Sequence, residues 1–257
     1  MIKIEKTEVY GWEAAIRGMR NPKNSWERSD SVMCEDTDAV CDGCPHNNIC
    51  GCTLGDCEKT YIIGPNDHGL MMNLAAGGPV HAKYRRMITV YVDITAPLYW
   101  WKEFDTYKIG TVANSCSTMH KIDAKEFDRN DFSWDHLLVD DLIEEPEDSL
   151  VSLPVHVLDI TIETLNHYRK KLLEAKTKPM KDESKRAELM KKYWLQLIQL
   201  LPSSYNQKRT IMLNYEVLAG IYPMRKNHKL DEWHVFCDWI KSLPYSEIIV
   251  GAEKIGE

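Results

Sequence analysis

An eight-residue run, Met87-Ile88-Thr89-Val90-Tyr91-Val92-Asp93-Ile94, is dense in β-branched side chains and reads as a strand. Pro97 follows and opens a second apolar run, Leu98 to Phe104, with the spacing of a helix. Its Trp100 and Trp101 are expected in the core or at a subunit interface rather than as a base-stacking platform. Upstream, Ile2, Ile4 and Val9 suggest a short strand, and residues Trp12 to Met19 a helix. Pro65 to Ala76 places Leu70, Met71, Leu74 and Ala75 at helical spacing, with Gly77-Gly78-Pro79 as its stop. The C-terminal half is helical in pattern: Val155 to Ala175, Lys185 to Leu200 before Pro202, Tyr205 to Ile221, and Asp231 to Leu243. The acidic stretch Asp135 to Asp148 reads as an exposed connection. The expected fold class is α+β, a central mixed sheet with a long helical layer, in one domain over residues 1–257.

Residues 21–65 break this periodicity, and a Cys-rich insertion is placed at about 31–62. Six of the eight cysteines lie there: Cys34, Cys41, Cys44, Cys50, Cys52 and Cys57, separated by six, two, five, one and four residues. His46 lies among them. Zinc takes four Cys or His ligands in a tetrahedron, and thiolates equally suit an iron–sulfur cluster. A thiol-rich loop without metal is the plainer alternative. A structural clip is preferred to a reaction centre.

Acidic residues number 39 against 32 basic ones, a formal charge of −7. Broad nucleic-acid binding needs a basic surface and is not expected, although a local phosphate pocket is compatible with this balance. The opening residues carry no signal-peptide pattern, and no apolar stretch reaches the roughly 18 residues of a membrane helix. A cytoplasmic protein is expected.

Downstream of Pro97, the segment Lys102-Glu103-Phe104-Asp105-Thr106-Tyr107-Lys108-Ile109-Gly110-Thr111 continues into Val112-Ala113-Asn114-Ser115-Cys116-Ser117-Thr118-Met119-His120. It resembles the region around the signature of the flavin-dependent thymidylate synthases. By residue type that signature is Arg-His-Arg, two residues, Ser, one residue, Asn-Glu, one residue, Ser, one residue, Arg-Tyr, with an Arg-Gln pair upstream. Lys102-Glu103 falls on Arg-Gln, Thr106-Tyr107-Lys108 on Arg-His-Arg, and Thr111 on the first Ser. After one extra residue, Asn114, Ser115 and Ser117 fall on Asn, Glu and the second Ser, and Met119-His120 on Arg-Tyr. Leu201-Pro202 resembles the family's Leu-Pro turn before a long helix. Asn214 falls on a flavin-contacting Asn, and Arg225, eleven residues on, falls on a substrate-phosphate Arg. Gly78-Pro79-Val80-His81 is similar to a Gly-His element, after which Lys83 and Arg86 occupy positions normally small-polar and acidic.

The resemblance implies a homotetramer that binds FAD and a dUMP-like pyrimidine nucleotide, with reduced flavin and a folate one-carbon donor. It places Glu103, Ser115, Cys116, Ser117 and Arg225 at the substrate, and Lys83, Arg86, Thr106, Tyr107, Lys108, Ile109 and Asn214 at the cofactor. It identifies no catalytic residue. Thr106, Lys108 and Met119 replace family arginines, and Glu216 stands where the family has another. An acid there repels a pyrophosphate, and Lys offers a point charge where Arg offers a fork. Arg85 and Arg86 are candidates to restore the lost charge.

Plainer roles compete at several positions. Asn114, Ser115 and Ser117 suit a cap on the next helix, and Arg225 suits a surface ion pair. Cys116 is expected as a small buried residue, with attack of its thiolate on a pyrimidine as the sharper reading. At the level of the whole chain, the alternative to an enzyme is a catalytically silent or altered-substrate homologue that serves as a binding or scaffold protein.

Overall fold

The structure, a computed structural model, describes residues 2–33, 61–139 and 153–251. All six clustered cysteines, His46 and most of the acidic connection lie outside the described residues.

A four-stranded sheet has the order β1-β4-β6-β5, formed by β1 (Lys3–Tyr10), β4 (Thr89–Pro97), β6 (Asn206–Asn214) and β5 (Val112–Ser115). The short β2 (Val32–Met33) and β3 (Tyr61–Ile62) pair antiparallel, Val32 opposite Ile62 and Met33 opposite Tyr61. The helices are α1 (Trp12–Arg20), α2 (Pro65–Ala76), α3 (Leu98–Phe104), α4 (Thr118–Lys121), α5 (Pro154–Thr177), α6 (Glu183–Leu200), α7 (Tyr215–Arg225), α8 (Asp231–Ser242) and α9 (Glu247–Val250). The class is α+β, as expected. Among the described residues no helix is long and apolar enough to cross a membrane.

The strand read over Met87–Ile94 begins two residues later and extends through Pro97, where α3 starts. Trp100 and Trp101 are buried core residues. The larger correction concerns Tyr205–Ile221, expected as one helix. Asn206–Asn214 is a strand, and the helix starts only at Tyr215. Gln207, Ile211 and Leu213 are buried at period two, and β6 lies between β4 and β5 in the sheet. A strand bordered on both sides exchanges ladder hydrogen bonds with two neighbours, which outweighs the helical preference of Lys, Arg and Met. Asn214 then marks the change, because its Oδ1 accepts from the Val217 backbone N–H at 3.0 Å and caps α7.

The chain divides into two compact units, one of residues 1–3, 94–106 and 114–209, the other of residues 4–93, 107–113 and 210–257. The first is built on the pair α5 and α6. Leu158, Ile162, Leu165 and Leu172 of α5 form a core with Leu197 of α6 and with Ile122, Phe127 and Phe132. Tyr168 of the same helix is partly buried and packs against this core.

In the second unit Trp12 of α1 meets Tyr215 of α7 edge-to-face at 5.3 Å, and Trp233, Phe236 and Ile240 give α8 its buried face. Asp67 of α2 is wholly buried and gathers five hydrogen bonds. They come from Arg20 Nε at 2.6 Å, Ser29 Oγ and Ser31 Oγ at 2.7 Å, and the backbone of Asp30 and Ser31 at 3.1 and 3.2 Å. In return Asp30 accepts from the first-turn N–H groups of Asn66 and Asp67. This knot and the β2–β3 pairing tie residues 29–33 to residues 61–67, at the two ends of the stretch that carries the cysteines.

Candidate functional site

In the first unit, β6 and α3 present one polar group. In a strand, residues two apart share a face, so Gln207 and Arg209 stand side by side. Arg209 Nε donates to Gln207 Oε1 at 3.0 Å, and its Nη1 pairs with Asp105 Oδ1 at 2.7 Å. Its guanidinium carbon lies 4.2 Å from the centre of the Trp101 ring, a cation–π stack. Gln207 Nε2 donates to the Cys116 carbonyl at 3.0 Å, while the Cys116 N–H donates to the Lys208 carbonyl at 2.9 Å. The backbone of Cys116 is thus held from both sides. Sequence reading missed Arg209 and Gln207 because it treated the stretch as helical, which scatters them to different faces.

The sequence-derived residues of this unit are less uniform. Ser115 lies in the exposed strand β5. Ser117 caps α4, its Oγ accepting from the His120 N–H at 3.2 Å, so the capping role holds for Ser117, while Asn114 and Ser115 belong to the strand. Cys116 is exposed, not the buried residue expected. The Thr106 hydroxyl donates to the Glu103 carbonyl at 2.7 Å and closes the end of α3. Glu103 is half-buried.

In the second unit, the segment after α3 brings Tyr107 to α7 and α8. Arg225 Nε donates to Tyr107 Oη at 2.8 Å. The Arg225 guanidinium carbon lies 4.4 Å from the Trp233 ring centre and 5.5 Å from that of Tyr107. Arg225 is therefore bracketed by two aromatic rings, beyond the ordinary surface pair considered from the sequence. Lys108 and Ile109 are exposed, Ile109 almost fully at 93%. Gly110 follows at φ +76°, and a Cβ there would meet Val217 Cγ2 at 3.0 Å and Asn214 Nδ2 at 3.1 Å. The loop consequently lies directly on the capped end of α7.

Lys83 and Arg86 are exposed on the single turn Lys83–Met87, whereas Arg85 of the same turn is buried. Arg85 Nη1 lies 3.6 Å from Glu216 Oε2, so this acid in the first turn of α7 faces a cation supplied by the turn Lys83–Met87. Burial pushes the neighbouring Tyr84 hydroxyl up to about 12, against the opposing charge and hydrogen bond of Arg85. Tyr84 instead donates to the Met71 carbonyl at 2.8 Å. Three shielded polar atoms of this unit, Arg85 Nε, Thr111 Oγ1 and Glu216 Oε2, have no hydrogen-bond partner in the protein. Among the described residues no cluster of His, Cys, Asp and Glu is arranged to hold a metal.

An α+β chain with this sheet order and this helical layer has the fold of the flavin-dependent thymidylate synthases. The particular likenesses are to thymidylate synthase X of Helicobacter pylori, solved twice in complex with FAD and dUMP. Each shares 15% identity with this chain, covers 96% of both chains and superposes with a TM-score of 0.54. A UMP/dUMP methylase of Streptomyces cacaoi bound with 5-bromo-dUMP shares 12% identity over 96% of this chain and 93% of its own, at a TM-score of 0.49. No family model and no curated protein matches the sequence.

Proposed function

We infer that this chain is a flavin-dependent enzyme that modifies a pyrimidine nucleotide, methylation of a dUMP-like substrate being the first candidate reaction. The observation that carries the reading is Arg225 held against Trp233 and Tyr107, on a fold that matches thymidylate synthase X over 96% of both chains. An arginine held by stacking presents its planar guanidinium in a fixed orientation, which lowers the entropic cost of gripping a phosphate.

The residues present fit a flavin dinucleotide. Lys83, Arg86 and Lys108 are exposed cations of the second unit, suited to phosphates, and the three shielded polar atoms beside α7 and its loop suit a ring edge. When bound, the reduced flavin supplies the hydride. The chain's own residues bind and orient. Tyr107 fixes Arg225, Asn214 fixes the start of α7, and Thr106 and Ile109 contribute backbone and shape. In the first unit Glu103, Ser115, Cys116 and Ser117 are proposed for the nucleotide, with Arg209 and Gln207 holding the Cys116 backbone. A folate one-carbon donor and a homotetramer are carried over from the family resemblance. The clustered cysteines are proposed to clip a metal, zinc or an iron–sulfur cluster.

The visible absorption spectrum of freshly purified protein, followed by a dUMP titration, tests the reading. Flavin bands perturbed by dUMP are the expected result. A colourless protein that binds neither flavin nor any pyrimidine nucleotide overturns it in favour of a silent scaffold. A broad brown absorption would assign the cysteines to an iron–sulfur cluster, and metal analysis of the same sample settles zinc.

A further inference from the structure

Arg85 is 8% exposed, and the side chain of Glu216 is 17% exposed in the first turn of the eleven-residue α7. Their closest atoms are 3.6 Å apart, too far for a hydrogen bond, so the contact neutralises charge but satisfies neither Arg85 Nε nor Glu216 Oε2. Arg85 Nε is a donor only and Glu216 Oε2, ionised, an acceptor only; both are shielded from solvent and unpartnered in the protein. Thr111 Oγ1, which can do either, is a third such atom, one residue from the Gly110 that rests on Asn214 and Val217.

These requirements select a chemical class. A phosphate offers acceptors alone, which would satisfy Arg85 and be repelled by Glu216. An ammonium fails in the opposite sense. A cyclic imide edge, with a carbonyl oxygen next to a ring N–H, satisfies both residues at once: the carbonyl accepts from Arg85 Nε and the ring N–H donates to Glu216 Oε2. Uracil carries such an edge, and so does the pyrimidinedione ring of a flavin.

We propose that Arg85 and Glu216 form a specificity-determining receptor for the imide edge of a heteroaromatic ring, with Thr111 as an adjustable third contact. The start of α7 thereby reads a neutral ring edge, where an arginine in place of Glu216 would have drawn a phosphate. This rests on the flavin and pyrimidine reading above and names which atoms of that ligand the second unit recognises.

The test compares ligands that differ by one methyl group, using the intact chain. Binding of riboflavin against 3-methylriboflavin, and of dUMP against N3-methyl-dUMP, is measured by isothermal titration calorimetry. Methylation removes the imide donor and leaves the shielded Glu216 Oε2 without a hydrogen bond, so the affected pair should differ by about 10- to 100-fold. A gap in the riboflavin pair assigns the receptor to the flavin, and a gap in the dUMP pair assigns it to the substrate. Glu216→Gln, which keeps size but gains a donor, should narrow that gap; Arg85→Lys should weaken the unmethylated ligand. Equal binding of methylated and unmethylated forms overturns the receptor while leaving the flavin-enzyme reading intact. No binding of any of the four ligands overturns both.

Discussion

Arg225 lies against Trp233 with its guanidinium carbon 4.4 Å from the ring centre, and the same side chain donates to Tyr107. Lysine preserves the charge but loses the planar stack and the fork. Arg225→Lys is expected to lower the affinity for dUMP about tenfold, in line with the ~1–2 kcal/mol of such contacts. Thermal stability should change little. Titration calorimetry with a parallel melting curve checks it; unchanged affinity would take Arg225 out of phosphate binding.

Asp67 and Arg20 form a buried ion pair in the second unit, 2.6 Å apart with side chains 0% and 4% exposed. Burial pushes the Asp67 carboxyl up, but hydrogen bonds from Ser31, Ser29 and Arg20 and the charge of Arg20 outweigh it, and the net position is below the ordinary carboxylate value. A carboxyl with a lowered folded pKa contributes stability that is complete above its unfolded pKa. That contribution fades as pH falls from about 4 through the lower folded value. Asp67→Ala leaves Arg20 buried and unpaired, at a cost of about 3–5 kcal/mol. Urea unfolding across acid pH should show a steep loss in the wild type and a flatter profile in the isosteric Asp67→Asn. Parallel profiles would exclude Asp67 as the titrating group.

Asn214 serves first as the cap of α7. Its replacement by alanine should cost about 1 kcal/mol whatever ligand is present. Gly110→Ala should cost about 1–2 kcal/mol, because φ is +76° there and the new Cβ presses on Asn214 and Val217. Since the two residues touch, the double variant should fall short of the sum. Melting temperatures of the three variants decide it.

Arg209 ties Gln207 and Asp105 together over Trp101, and Gln207 holds the Cys116 carbonyl. Arg209→Ala should loosen that backbone and raise the rate at which the exposed Cys116 thiol reacts with iodoacetamide, several-fold over wild type. Peptide mapping of the labelled protein separates Cys116 from the other cysteines. An unchanged rate would mean that Gln207 and Lys208 hold the Cys116 backbone without support from Arg209.

Local chemistry by itself determined a good part of this protein. Pro65 and Gly77 bound α2, and the β-branched run before Pro97 defines β4 and the start of α3. The face Leu158, Ile162 and Leu165 marks α5, because each of these signals acts between residues a few positions apart. Tertiary structure decided the rest. The segment Asn206–Asn214 is a strand because neighbouring strands on both sides accept its hydrogen bonds, which no local pattern encodes. The same decision placed Arg209 beside Gln207 and made Asn214 a cap. The family resemblance raised Arg85 as a source of charge and Glu216 as a misplaced acid, each separately. Only the packing of the turn Lys83–Met87 against α7 brings them to 3.6 Å, because a pair so far apart in the chain meets through the core that both elements bury.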